Sequence, residues 1–140
     1  MVEQVQPTIQ DVIAVAEFRS ALRHFLRRSE KIARQSGLTP QRYTLLMMIK
    51  GAPGGSEQST VTELAERMQL AQSTVTELVR RAESAGLIER EQSQRDARVA
   101  HLRLTPEGER RLMLSFTELQ KERAQLRDAF ASLEGGVTGP

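Results

Sequence analysis

Cysteine is absent from the 140 residues. That one absence excludes disulfides, cysteine-ligated zinc, iron–sulfur clusters, thiol nucleophiles and peroxide-sensing thiols together. Histidine is nearly as scarce, with His24 and His101 alone, and there is no GxSxG, HExxH or glycine-rich phosphate loop. Catalysis would have to rest on scattered carboxylates and hydroxyls, so neither an enzyme nor a cofactor is expected. No metal site is expected either, because nothing in the sequence pairs the two histidines. No apolar run approaches the ~18–20 residues that cross a bilayer, and Met1 to Gln10 lack both a basic segment and an apolar h-region. The expectation is a cytoplasmic protein with no membrane partner.

Lysine is scarce too. Arg supplies 17 of the 20 cations, against Lys31, Lys50 and Lys121, and arginine suits bidentate phosphate and groove contacts. The balance of 20 basic to 18 acidic residues is too slight to diagnose nucleic-acid binding by itself. The length fits one domain spanning residues 1–140, with volume for a core, and the apolar content is that of an ordinary soluble globule.

Val15, Phe18, Leu22, Phe25 and Ile32 recur at helical spacing between Val12 and Arg34, with Arg19, Arg23, Arg27 and Arg34 expected on the opposite face. Gly37 closes this helix. Thr39-Pro40 opens a second, with Leu38 placed to staple onto Tyr43, and the helix runs through Leu45, Leu46 and Ile49. Gly51 to Ser56 reads as a loop. Thr60 and Glu63 have capping-box spacing for a third helix beginning near Val61. After a break at Gln69, a fourth helix from Gln72 to Ala85 carries Val75, Leu78, Val79 and Ala82 on one face and ends at Gly86. Leu87-Ile88 starts a strand, and Val99 to Leu104 alternates as a second, with Ala100, Leu102 and Leu104 inward; the polar link Gln92 to Ala97 makes them a hairpin.

Thr105-Pro106 opens the last helix, predicted to run unbroken to about Glu134. Leu112, Leu119, Leu126 and Leu133 fall seven apart, with Phe116 and Phe130 on the alternate seam and Arg123 its polar member. A helix of about 29 residues is roughly 43 Å long, more than one small domain covers, so part of the seam should meet a second copy. Residues 9–37 and 105–134 are therefore assigned to dimerisation, through Leu22, Leu112, Phe116, Leu119, Leu126, Phe130 and Leu133. Residues 135–140 read as a disordered tail.

The spacing Leu64, Ala65, Met68, Leu70, Val75, Leu78 fits a helix-turn-helix, with apolar residues locking two helices and a small residue at their crossing. Gln69 departs from the glycine common at the turn. An ordinary helical hairpin would share this pattern, but the strand hairpin that follows makes it a winged helix over residues 39–104. The fold class is mainly α with a small β-hairpin wing: a winged helix-turn-helix plus a helical dimerisation region.

Three runs resemble the MarR family of multiple-antibiotic-resistance regulators. Leu38-Thr39-Pro40-Gln41-Arg42-Tyr43 looks like the family's second-helix start. Gln72-Ser73-Thr74-Val75-Thr76 with Ala85-Gly86-Leu87-Ile88 looks like its recognition helix and exit. Asp96-Ala97-Arg98 through Leu102-Arg103-Leu104-Thr105-Pro106-Glu107-Gly108 looks like its wing and return, and is the most specific of the three. The resemblance extends from about Val12 to Leu119 and implies a dimeric regulator of transcription, a repressor, that binds double-stranded DNA and is released by a small aromatic or anionic effector. Family members carry a further short helix after the fifth, for which a fifth helix reaching Glu134 leaves no room.

Residue chemistry agrees. Gln72, Ser73, Thr74, Thr76, Glu77 and Arg80 lie away from the packing face of the fourth helix and can enter a major groove. Ala71 stands where the family places a hydroxyl cap, leaving the first amides free for a phosphate. Glu77 has two readings: it accepts from cytosine N4, or it pairs with Arg80 or Arg81. Arg95 and Arg98 flank the wing tip, where a minor groove attracts arginine, and Asp96 can hold the Arg98 guanidinium in a reaching conformation while forming the turn. Phe25, Tyr43 and Met47, with Met48, either line an effector pocket or are plain core; Arg42 or Arg27 could hold an anionic ligand. The rival function is a winged-helix scaffold that binds protein without specific DNA binding, for which exposed Ser73, Thr74, Arg80 and Arg98 would be superfluous.

Overall fold

The computed structural model describes residues 5–135. Six α-helices and one hairpin follow in the order α1 (Ile9–Gln35), α2 (Pro40–Lys50), a 3-10 turn (Pro53–Gly55), α3 (Val61–Met68), α4 (Gln72–Ser84), β1 (Ile88–Gln92), β2 (Ala100–Leu104), α5 (Pro106–Glu118) and α6 (Gln120–Gly135). This is the winged-helix class that the periodicity and turn chemistry predict. No described helix is long and apolar enough to cross a membrane.

Threonine starts four of the helices. The Thr8, Thr39, Thr60 and Thr105 hydroxyls accept from the backbone amides of Asp11, Arg42, Glu63 and Gly108, satisfying donors that a helix start leaves open. Thr8 and Thr60 complete capping boxes with the Asp11 and Glu63 carboxylates. The helix-turn-helix bends at Gln69, which takes the left-handed conformation at φ 56° and ψ 46°. Its side-chain amide donates to the Glu66 carbonyl at 2.6 Å, and the Leu70 amide reaches Ala65 at 3.1 Å.

The core sits under the winged helix. Leu45, Leu46 and Ile49 of α2, Leu64 of α3, Val75, Val79 and Ala82 of α4, Leu87 and Leu102 have no measurable exposure, and the C-terminal end of α1 joins them through Ile32 and Ala33. The strands pair antiparallel with Ile88 opposite Leu104 and Arg90 opposite Leu102. Ser59 adds a one-residue bridge that sequence alone did not disclose, exchanging backbone hydrogen bonds with Leu102 at 3.0 and 2.8 Å.

Two expectations are corrected. The helix predicted from Thr105 to Glu134 is two helices, broken at Leu119, whose amide turns back to the Phe116 carbonyl at 3.3 Å. Leu119 is 1% exposed and drops into the core, while the Arg123 guanidinium lies 3.7 Å from the Phe116 ring centre and donates to the same Phe116 carbonyl. A sixth helix is therefore present after all. It packs antiparallel along α1, with Phe130 edge-on to Phe18 at 6.0 Å and Arg28 to Glu122 at 3.4 Å. Second, α1 does not divide into one apolar and one basic face. Phe18 and Phe25 turn to α6, whereas Arg19, Arg23 and Arg27 flank a surface groove they share with Val15, Leu22 and Leu26. Of the expected tail, Gly135 is the last residue of α6, and 136–140 lie outside the described residues.

Gly108 in the first turn of α5 lies against the Leu87 carbonyl so closely that a Cβ there would overlap it. Backbone cannot yield as a flexible side chain can. Gly108→Ala is expected to destabilise the fold by about 1–3 kcal/mol, read as a lower urea midpoint at unchanged slope; an unchanged midpoint would show that this contact is slack.

Candidate nucleic-acid interface

Helix α4 buries Val75, Leu78, Val79 and Ala82, and this orientation decides what the other side offers. Gln72, Ser73, Thr74, Thr76 and Arg80 are all exposed, and Glu77 is half-buried. The Gln72 side-chain amide donates to the Thr62 hydroxyl at 3.4 Å, tying the start of α4 to α3. Ala71 at the N-cap provides no side-chain acceptor, unlike the threonines that start α1, α2, α3 and α5. The helix starts with free amides where four others start with capped ones.

Of the two readings of Glu77, the free protein adopts the pairing one, and with both arginines. Arg80 donates to its carboxylate through Nε at 2.9 Å and Nη2 at 2.6 Å, and Arg81 through Nε at 3.0 Å. Hydrogen bonds from Arg80 first and Arg81 second pull the Glu77 carboxyl down to about 2. Arg81, which the sequence offered as an alternative to Arg80, joins it in this cluster, as the i, i+4 spacing from Glu77 allows. A shallow hollow of about 350 Å³ joins Ser73, Thr74, Glu77 and Arg81 to Gln41 of α2.

At the wing tip Asp96 fills both roles expected of it. Its Oδ1 accepts from the Arg98 backbone amide at 3.0 Å, forming the turn, and from Arg98 Nε at 3.3 Å. The Arg98 side chain is 91% exposed. Ser93 was missed: its Oγ accepts from the amides of Arg95 and Asp96 at 3.2 and 3.4 Å, and its own amide reaches Val99 at 3.0 Å, closing the loop. The Ser-x-x-Asp spacing was the available signal. Arg90 on β1 pairs with Glu83 on α4 at 2.8 Å, bracing the wing against the helix.

The effector candidates are not brought together. Tyr43 is 3% exposed within the core, where burial raises its phenol pKa against a hydrogen bond with Ser29 that lowers it. Met47 packs against that core from the side. Phe25 instead lines a hollow of about 320 Å³ between α1 and α6 with Ala21, His24, Arg28, Glu122 and Gln125, a set that includes neither Arg42, Tyr43 nor Met47. Among the dimerisation candidates, Leu112 and Leu119 are 3% and 1% exposed and fill the protomer's own core. Phe116 lies under Arg123. Leu22, Leu126 and Leu133 are half-buried and Phe130 is exposed.

A MarR family model matches residues 36–99, the stretch from the α1–α2 turn to the wing. A crystal structure of a MarR family transcription regulator shares 25% identity, covering 90% of this chain and 81% of that one at a TM-score of 0.69. The M. tuberculosis transcriptional regulator MosR in complex with DNA shares 26% identity over 77% of this chain and 75% of its own, at 0.58. A mutant of MarR from E. coli complexed with operator DNA shows the same fold at 19% identity, 94% and 96% coverage and 0.68. By sequence, no curated protein matches.

Because the folded pKa of Glu77 is depressed, its ion pairs are present above the ordinary carboxyl range and are lost only as pH falls through about 2. A carboxyl-carbon NMR titration is expected to place its midpoint near about 2, and Arg80→Gln to return it toward the usual value. An ordinary midpoint in the unmodified protein would mean that the cluster is open in solution.

Proposed function

We propose that the chain, whose residues 36–99 match a MarR family model and whose fold is that of MarR family transcription regulators, works in the cytoplasm as a homodimeric repressor that occupies a pseudo-palindromic operator and leaves it when a small effector binds. In this reading it is a regulator and not an enzyme, as the MarR family transcription regulator of similar structure is a regulator. The observation that carries the DNA-binding reading is the orientation of α4: its apolar stripe is wholly committed to the core, leaving Gln72, Ser73, Thr74 and Thr76 exposed on one helix of major-groove size. The free first amides of α4 suit a phosphate. Arg98, exposed at the wing tip and hydrogen-bonded by Asp96, suits an adjacent minor groove, with Arg95 beside it.

Residues 39–104 form the DNA-binding module in this reading, and α1, α5 and α6 the dimerisation region. Val12, Val15 and Leu26 of α1 with Met113 and Leu114 of α5 are exposed apolar residues that a second copy would cover. Phe130 extends this surface onto α6. A two-fold axis would set the two α4 helices about one DNA turn apart, roughly 34 Å. We assign a small aromatic or anionic effector to the hollow between α1 and α6, where Phe25 supplies a ring face and Arg28 a cation.

Selection of duplex DNA from a random library tests the reading: a palindrome with half-sites about one turn apart is expected, and enrichment of no sequence would overturn it. With Ser73 and Thr74 both changed to Ala, preference at particular positions should shift by roughly 1–3 kcal/mol; an unchanged sequence logo would move base reading elsewhere. Arg98→Ala is expected to weaken all sites alike and flatten the salt dependence by up to about two phosphate-equivalents per dimer. An unaltered slope would remove the wing from the mechanism.

A further inference from the structure

The DNA contacts proposed above leave out Glu77, which in the free protein is paired with Arg80 and Arg81, although it lies on the stripe of α4 that carries Ser73. The two are four residues apart, roughly 6 Å along the helix axis, and line the same hollow. A carboxylate thus stands on the surface meant to meet a polyanion, clasping two arginines whose side chains are 62% and 61% exposed. Among the described residues the same arrangement occurs once more. Glu107 accepts from Arg110 at 2.9 and 2.6 Å and from Arg111 at 2.8 Å, and hydrogen bonds from Arg110 first and Arg111 second lower it to about 2 as well. This twin sits at the start of α5, where Arg111 also reaches the Gly37 carbonyl and Thr105 bonds Gly86 beyond the C-terminal end of α4.

We propose that Glu77 determines specificity by penalty, withholding Arg80 and Arg81 from the DNA backbone unless a base-edge amino group takes over its carboxylate. This rests on the DNA-binding reading. An ionised carboxylate only accepts hydrogen bonds, and so do phosphate oxygens, guanine N7 and O6, and thymine O4. In the major groove only the cytosine N4 and adenine N6 amino groups can donate to it. On an arbitrary duplex the arginines either stay with Glu77, presenting the phosphates with one net charge instead of two, or leave it unpaired beside the phosphates. Both outcomes weaken contact. Where an amino group faces Glu77, the carboxylate keeps a donor and both guanidiniums are released to the backbone. Exposed ion pairs are weak enough in water for this exchange to occur on binding, and discrimination arises from a built-in repulsion in place of an added attraction.

Glu77→Gln and Glu107→Gln raise the protein's charge equally, so comparing them separates local from general electrostatics. Full-length protein is titrated with salt on random-sequence duplex and on a duplex enriched from a library. Glu77→Gln is expected to bind random duplex about tenfold more tightly at about 0.1 M salt and to steepen the log–log slope by about one per recognition helix. Its preference for cytosine or adenine at one position of each half-site should fall at least about fivefold. Glu107→Gln should do neither. Glu77→Ala, which removes the carboxylate without adding amide donors, should steepen the slope as Glu77→Gln does, and thermal unfolding matching the parent checks that both variants fold. Equal shifts in the Glu77 and Glu107 variants, or an unmoved Glu77 variant beside a parent that still selects a site, would overturn the proposal and leave DNA binding standing. A parent that enriches no sequence would remove both.

Discussion

Burial of one stripe of α4 is the constraint on which the rest depends. Val75, Leu78 and Val79 are each worth about 1.5–3 kcal/mol when fully withdrawn from water, and Ala82 completes the stripe. Rotating the helix by one residue, about 100°, would swing much of this stripe toward water and turn Thr76 and Arg80, or in the other sense Thr74 and Arg81, inward without partners. The polar face is therefore held by hydrophobic burial on the other side. The angle at which α4 leaves α3 is set at Gln69, whose left-handed backbone is supported by its own side-chain bond to Glu66. That bond offsets part of what a non-glycine residue loses there.

Charge on this molecule shapes geometry more than it stabilises the fold. The ion pairs of α4, the wing and α5 are mostly solvent-exposed, where such pairs contribute little, yet each sets the position of a guanidinium. Asp96 holds the exposed Arg98 side chain at the wing tip, whereas Glu77 draws Arg80 and Arg81 back along their own helix. Ser93 and Asp96 hold the wing tip through backbone amides, so a loop with little apolar content still has a defined turn.

The break at Leu119 reorganises the C-terminal third. A straight helix would carry Leu126 and Leu133 onward along the line of Leu112 and Leu119, past the protomer's core; the break leaves Leu112 and Leu119 in that core and lays α6 back along α1. What remains outward on α1 and α5 is a different apolar surface, led by Val12, Leu26, Met113 and Leu114. The requirement that apolar area be covered survives, but the residues that express it change.

Local chemistry was legible in the sequence. Threonine caps, the Thr60–Glu63 box, the turns at Gly37 and Gly86, the helix-turn-helix spacing, the hairpin and the Asp96–Arg98 pair all depend on residues within a few positions of one another. The face of α4 was readable for the same reason, since one helix's periodicity separates its buried stripe from its polar one. The heptad of leucines could not reveal the break, because their spacing is the same in one helix or two. What decides it is Leu119 finding a core built by α1 and α2, and Arg123 capturing the Phe116 carbonyl. Likewise α1 carries two apolar stripes, and only contact with α6 selects which is covered. Tyr43 and Phe25, alike as aromatic candidates, parted because one met the core and the other a helix nearly a hundred residues away. Sequence determined what can be settled within a turn or two of helix; tertiary structure decided whatever depended on which distant surface arrived to exclude water.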